Sequence, residues 1–159
     1  MDKRFSKGLL SIDGRVLSRR EMVQVGSKTL DSWLSTVEVR YATVRGAVES
    51  TVEFKVLEGD FYGNITTGMT GIQQRIVLHD SRADGAVTCD GSGIIKLRRR
   101  VMTVCVERML IFTIVNQAGD AVRTIEFTPF RTGREKVQIS CGAAKFEVKV
   151  TWSLMDFQR

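Results

Sequence analysis

The densest cluster of charge in the 159-residue sequence is a basic run, Lys-Leu-Arg-Arg-Arg, at residues 96–100. On an extended strand Lys96, Arg98 and Arg100 would project from one face at about 6.5 Å per step, a spacing that can follow phosphates. Together with Arg99 they are the candidate nucleic-acid-binding residues. The same pattern also fits an edge strand on which like charges prevent aggregation. Both interpretations stay open.

The rest of the sequence supports nucleic-acid binding only weakly. Lys and Arg outnumber Asp and Glu by 24 to 18, an excess that also serves solubility. Sequence-tolerant binding of single strands usually adds exposed aromatic side chains on which bases stack. Phe61 and Tyr62 are the one adjacent aromatic pair in the sequence, and nothing places them beside the basic run.

Candidates for catalysis and metal binding are few. The one histidine, His79, precedes Asp80, and with a serine they would make a triad, but no Gly-x-Ser-x-Gly elbow accompanies them. We therefore expect His79 to stack or cap at a strand end. Arg82 intrudes among the loop aspartates Asp80, Asp84 and Asp90, which we expect to form turns rather than bind calcium. We expect no catalytic residue, no metal site and no cofactor.

The three cysteines, Cys89, Cys105 and Cys141, form no CxxC pair. Cys105 and Cys141 lie in strand-like apolar runs, where a thiol behaves as a small hydrophobe. Since the N-terminus also lacks the apolar region of a signal peptide, we expect reduced cysteines and a cytoplasmic protein. No apolar run approaches the roughly 20 residues that cross a bilayer, so we expect no membrane partner.

Alternation of apolar and polar residues is the main structural signal. Residues 145–154 alternate strictly, which predicts a strand with one buried and one solvated face. Residues 51–56 and 37–41 show the same period of two. Residues 101–106 and 109–115 are apolar on both faces, which is typical of strands in the centre of a sheet or sandwich.

Turn residues at intervals of about eight to twelve predict roughly eight to ten strands. We expect an all-β antiparallel β-sandwich, with a β-barrel as the alternative. One domain would span residues 8–156 and follow an N-terminal tail, residues 1–7. At most one short helix is expected, over residues 27–34, where Leu30, Trp33 and Leu34 have helical spacing.

Six stretches read together resemble a known family. They are Leu-Leu-Ser-Ile-Asp-Gly (9–14), Leu-Ser-Thr-Val-Glu-Val-Arg-Tyr (34–41), Gly-Asp-Phe-Tyr-Gly (59–63), Ile-Val-Leu-His-Asp-Ser (76–81), Glu-Phe-Thr-Pro (126–129) and Val-Lys-Val-Thr-Trp-Ser (148–153). Their order and spacing resemble a plant domain of unknown function that is abundant in grasses. They also resemble the C-terminal region of the jasmonate-induced ribosome-inactivating protein of barley.

The resemblance implies a plant defence or stress domain that is an appendage to a separate N-glycosidase domain. The Glu-Ala-x-x-Arg helix of such a glycosidase has no counterpart here, so the resemblance brings no rRNA-cleaving site. The barley region is likened to a cap-binding initiation factor, which would need two aromatic rings around a methylated guanine. The candidates are Trp33 and Trp152, and the strand alternation places Trp152 on the inward face.

These observations favour a non-catalytic protein-interaction domain that contacts a protein partner, or a second copy of itself, through a β-edge. The alternative is an RNA- or ribosome-binding module that uses the basic run at residues 96–100. An enzyme is the third hypothesis, which a pocket with two or more groups of strongly shifted pKa would support.

Overall fold

The computed structural model describes residues 9–13, 21–32, 35–90 and 92–155. The chain divides into two compact units, Met1–Arg45 and Gly46–Arg159. The predicted tail and both limits of the predicted domain lie outside the described residues, so the single-domain assignment stays a prediction. Within the described ranges no helix is long and apolar enough to cross a membrane.

The first unit contains an antiparallel hairpin of β1 (Val23–Asp31) and β2 (Thr36–Val44). Its ladder pairs Val23 with Val44 and Asp31 with Thr36, whose hydroxyl also donates to the Asp31 carboxylate over 2.8 Å. The helix predicted for residues 27–34 is therefore wrong as far as residue 31. Its apolar spacing was misleading because the alternating strand β2 supplies a complete ladder of backbone partners. Residues 33 and 34 lie outside the described residues.

The described part of the second unit contains eight strands and one helical turn. These are β3 (Ala47–Glu58), β4 (Gly63–Met69), β5 (Ile76–Asp80), α1 (Ser81–Asp84), β6 (Val101–Cys105), β7 (Leu110–Asn116), β8 (Val122–Phe127), β9 (Gly133–Cys141) and β10 (Ala144–Leu154). Every pairing is antiparallel.

The strands form two four-stranded sheets, ordered β6-β3-β10-β9 and β5-β4-β7-β8. The predicted β-sandwich is confirmed, since in the described residues the two ladders stay separate and no barrel closes. Edge strands β6 and β9 flank the first sheet, and β5 and β8 flank the second. These four edges decide where other segments can pair.

Aromatic rings from both sheets interlock in the core. Phe54 of β3 meets Phe112 of β7 edge to face, with ring centroids 5.4 Å apart. Phe61 packs in the same way against Phe146 of β10, at 4.9 Å. Trp152 is almost fully buried on the inward face, as its place in the alternation predicted. Such edge-to-face pairs stabilise the core beyond the area that they bury.

The outer face of the first sheet carries charges that pair across strands. Lys149 of β10 lies 3.5 Å from Glu53 of β3, and Lys136 of β9 lies 3.3 Å from Glu147 of β10. These partly exposed pairs add little stability, but they neutralise Lys149 and Lys136 locally. Cross-strand pairing therefore accounts for these four charged residues of the sheet.

The ring contacts predict that Phe112→Ala is strongly destabilising. The variant should lose about 3–5 kcal/mol of the free energy of unfolding in urea, because it leaves a cavity between the sheets. Phe130→Ala is the matched control, since Phe130 is 48% exposed, and it should change stability by less than about 0.5 kcal/mol. Equal losses in the two variants would contradict this description of the core.

Candidate functional site

The basic run does not form the regular strand that the sequence predicted. The Ile95 N–H donates to the Phe54 carbonyl, and the Val52 N–H donates to the Arg100 carbonyl. These two bonds are two residues apart on β3 (52 and 54) but five residues apart on the basic segment (95 and 100). The extra residues of the basic segment therefore bulge away from the sheet. We call residues 96–100 the basic arch.

The arch bends because it bridges the two sheets. The Arg98 N–H donates to the Leu78 carbonyl of β5 over 2.8 Å, which is a bond to the opposite sheet. Leu97 is buried in the core beneath it, whereas Lys96 and Arg98 on either side are exposed. The arch therefore covers the gap between β3 and β5 on this side of the sandwich. Hydrogen bonds hold the backbone at both ends of the arch, so the backbone positions from which its side chains project are fixed.

The four candidate cations of the arch have different surroundings. The Arg98 Nε lies 3.0 Å from the Asp84 carboxylate, so Arg98 is committed to an ion pair. Lys96, Arg99 and Arg100 are exposed and make no ion pair with any residue that the structure describes. Three cations of the arch thus remain free for an external anion.

Aromatic partners for stacked bases are fewer than the sequence suggested. Phe61 is buried against Phe146, and its neighbour Tyr62 is 39% exposed. Trp152 belongs to the core, so it cannot form one wall of a sandwich around a methylated guanine. The other predicted wall, Trp33, lies outside the described residues.

A buried polar cluster lies next to the arch. His79 Nε2 is 3.0 Å from the Ser81 hydroxyl oxygen, which also accepts the Gly63 N–H over 3.1 Å. Because a proton on Nδ1 would face the Asp84 carboxylate, whereas a bare Nδ1 lone pair would be repelled by it, we infer that the hydroxyl donates to Nε2 and that the imidazole proton is on Nδ1. Nδ1 faces the Asp84 carboxylate at 3.8 Å, too far for a hydrogen bond, and it has no other partner in the described structure.

Ser81, His79 and Asp84 follow one another in the order of a catalytic triad. Unlike the serine of a triad, however, Ser81 is not accessible to a substrate. Both Ser81 and His79 are 2% exposed, and the serine oxygen is already bonded on two sides. A nucleophile needs a free approach for the reacting atom. The cluster is better explained as a structural tie between β4, β5, α1 and the arch.

The aspartates of this loop build the helical turn. Asp80 is the N-cap of α1, where its carboxylate accepts the Arg82 N–H over 3.1 Å, and Asp84 accepts the Asp80 N–H over 2.9 Å. This reciprocal capping agrees with the turn-forming role that we expected. Asp84 also holds Arg98, a contact that was not predicted from the sequence. The one indication of this contact in the sequence was the position of Asp84, four residues after the N-cap Asp80.

The cluster shifts two pKa values. Burial lowers the pKa of His79 and Arg98 lowers it further, against the opposite effect of Asp84 and Asp80. The pKa of Asp84 is also lowered, first by the bond from the Asp80 N–H and then by Arg98. At neutral pH the fold therefore holds a neutral histidine next to an ionised carboxylate.

The opposite side of the sandwich presents a free strand edge. Cys141 and Ala144 close a two-residue hairpin between β9 and β10 and exchange backbone hydrogen bonds across it. Since such pairs alternate along an antiparallel ladder, the N–H and C=O groups of Arg134, Lys136 and Gln138 point away from β10. None of them meets a backbone partner among the described residues. We call the span from Arg134 to Gln138 the open edge.

The open edge ends where β9 meets β8. The Ser140 carbonyl accepts the Arg123 Nε over 3.1 Å, and the Cys141 thiol donates to the Ala121 carbonyl over 3.4 Å. Before this anchor Val137 is 38% exposed, although its partner on β10 is a core residue. The open edge thus combines free backbone groups with an accessible apolar side chain.

An open groove of about 680 Å³ lies within the first unit, lined by residues 9–11 and 27–30. Its lining contains leucine, serine, threonine and one lysine. The Lys28 ammonium already donates to the Ser11 carbonyl inside it. These side chains form no constellation for acid–base or nucleophilic chemistry.

The buried histidine predicts a pH-dependent stability. Because its pKa is lowered in the fold, the unfolded chain binds more protons below about pH 6.5, and stability should fall as the pH decreases from there towards the lowered value. His79→Gln keeps an acceptor for Ser81 but cannot titrate. The difference in unfolding free energy between wild type and variant should therefore shrink from pH 7.5 to pH 5. A difference that stays constant over that range would contradict the assignment.

A comparison with family models matches residues 1–150 to one family, described as a domain of unknown function (DUF6598). No curated protein matches the chain. Nothing in these comparisons links it to the ribosome-inactivating protein of barley. Since the match covers nearly the whole sequence, the chain belongs to the DUF6598 family.

Proposed function

We propose that this domain is a non-catalytic protein-interaction module that binds an extended segment of a partner along β9. The observation that carries the proposal is the open edge, where the backbone groups of Arg134, Lys136 and Gln138 have no partner in the described structure. An edge of this kind can accept an added strand, and main-chain hydrogen bonds then supply much of the affinity.

The side chains of β9 would select the partner. Val137 and Ile139 offer apolar contacts on the inward face, while Arg134 and Gln138 are exposed on the outward face. Lys136 is already neutralised by Glu147, so Arg134 is the cation of this edge that is available to a carboxylate. We therefore expect a preference for extended segments with alternating apolar residues and an acidic residue opposite Arg134.

The biological setting belongs to the same proposal. The resemblance of the six sequence stretches implies a cytoplasmic role in plant defence and the jasmonate response. It also implies that the domain is an appendage to a ribosome-inactivating protein and is connected with translation. The Ser81–His79–Asp84 cluster supports the non-catalytic part, because its serine and its histidine are buried and inaccessible to a substrate.

The proposal predicts that Gln138→Pro abolishes binding and leaves the fold intact. Proline removes one outward N–H of an edge strand, where its fixed φ is tolerated. Extended peptides selected from a displayed library on the wild-type protein should lose at least about tenfold in affinity, the effect of roughly 1.4 kcal/mol. Affinity is measured by fluorescence anisotropy and folding by circular dichroism.

Ile139→Pro is the matched control for the ladder, since the Ile139 N–H faces β10, and it should destabilise the fold itself. A folded Gln138→Pro variant that binds the selected peptides as tightly as wild type would refute the proposal. So would a library from which no peptide is enriched.

A second candidate function is RNA binding by the arch. It is supported by one specific observation, the exposure of Lys96, Arg99 and Arg100 without ion-pair partners in the described residues. Arg98 would contribute less than the sequence suggested, because Asp84 already neutralises it. Stacking on aromatic side chains would add little, so the binding would be mainly electrostatic and sequence-independent.

The test compares two triple variants that remove the same charge. Replacing Lys96, Arg99 and Arg100 by serine should weaken binding to oligouridine and lower the salt slope by up to about 2, at about 0.7 per phosphate contact. Replacing three paired lysines by serine should have a smaller effect; these are Lys136 and Lys149 together with Lys145, which lies 3.6 Å from Glu58. Filter binding between about 50 and 200 mM salt measures the affinity and the salt slope of wild type and both variants. Equal losses in the two variants, or no wild-type binding at the lower salt, would reject this function.

A further inference from the structure

We infer that the strand that pairs with the open edge is β9 of a second copy of this chain, aligned antiparallel around a two-fold axis at Val137. This inference rests on the proposed function, because it names the partner of the same edge. The open edge is self-complementary in its backbone pattern and in its accessible apolar side chain, Val137, and in one alignment no like charges lie directly opposite each other.

The backbone pattern permits few alignments. Outward N–H and C=O groups belong to even-numbered residues, so an even-numbered residue of one copy must face an even-numbered residue of the other. With the axis at Val137, Lys136 of each copy faces Gln138 of the other. Each of these two pairs exchanges two hydrogen bonds, and together the four bonds use groups that are unpaired in the described structure.

The neighbouring alignments are worse. An axis at Lys136 would set this lysine directly opposite Lys136 of the second copy. Like charges directly opposite each other are destabilising. An axis at Gln138 would pair Lys136 with Ser140, whose carbonyl already accepts the Arg123 Nε. The alignment at Val137 sets Lys136 opposite a neutral glutamine, and its four bonds use no group that already has a partner in the described structure. Its ladder ends there, because Arg134 then lies opposite Ser140, whose carbonyl accepts the Arg123 Nε.

The side chains also match in the alignment at Val137. The two Val137 residues face each other as a non-hydrogen-bonded pair, in which side chains approach most closely. This contact buries a valine that is 38% exposed in the single chain. On the same face Glu135 lies opposite Ile139, and no like charges meet. The first sheets of the two copies would then join into one sheet of eight strands.

Cysteine cross-linking tests the alignment directly. In the non-hydrogen-bonded pair the two Val137 Cα atoms would lie about 4.5 Å apart, within the range of about 4.4–6.8 Å for a disulfide. Val137→Cys should therefore form a covalent dimer on mild oxidation. The background carries Cys89→Ser, because Cys89 is the exposed native thiol. Adding Gln138→Pro should reduce the yield of dimer at least about tenfold.

Ile139→Cys is the matched control. In the same alignment the two 139 positions lie four strand steps apart, about 13 Å, so this variant should not cross-link. Equal rates of cross-linking for Val137→Cys and Ile139→Cys, or a Val137→Cys rate unaffected by Gln138→Pro, would overturn the inference. Circular dichroism of each reduced variant confirms that it is folded.

Sedimentation separates this inference from the proposed function. The wild-type chain should form a dimer that Gln138→Pro converts to monomer at the same concentration. A monomeric wild type without Val137→Cys cross-linking overturns self-pairing, yet peptide binding that Gln138→Pro removes would still support the proposed function. Loss of self-pairing together with an absence of enriched peptides would reject both.

Discussion

Backbone groups at the edges of a sheet must find a partner or water, and this constraint distinguishes the two sides of the second unit. On one side the basic arch leaves β3 and donates the Arg98 N–H to the Leu78 carbonyl, so the gap between the sheets is bridged. On the other side β9 is anchored to β8 only near Ser140, and in the described structure the groups before this anchor are unpaired. One side of the sandwich is thus closed by its own chain, whereas on the other side the outward backbone groups of the open edge have no partner in the described structure.

The bridge also determines which charges of the arch are available. Bending the chain across the sheets brings Arg98 to Asp84, which is held by the Asp80 N–H beside the buried His79. Arg98 looks equivalent to Arg99 and Arg100 in the sequence, but in the structure it is bound to the cluster of His79, Ser81 and Asp84. The remaining basic side chains stay in solvent, where their charge is available but weakly positioned.

Much of the fold could be predicted because alternation reports burial directly. The strict period of two in β10 and the doubly apolar β7 both lie where the pattern placed them, and Trp152 faces the core. The predicted helix failed because residues 27–31 pair with β2, a partner that helical spacing cannot reveal. The predicted basic strand failed because a bulge interrupts it at a bond to the other sheet. Both errors concern backbone partners that the spacing of residue types within one segment does not show.

The sequence by itself determined the all-β class, the apolar faces of the strands and the scarcity of catalytic side chains, since residue type and local spacing carry this information. Only the tertiary structure decided that Ser81, His79 and Asp84 form one cluster, that Arg98 is paired and that β9 presents an open edge. The physical reason is that pairing and burial depend on which segments meet in space. The order of the strands in the sheets, rather than their composition, places β9 at an edge, where its outward backbone groups have no partner in the described structure.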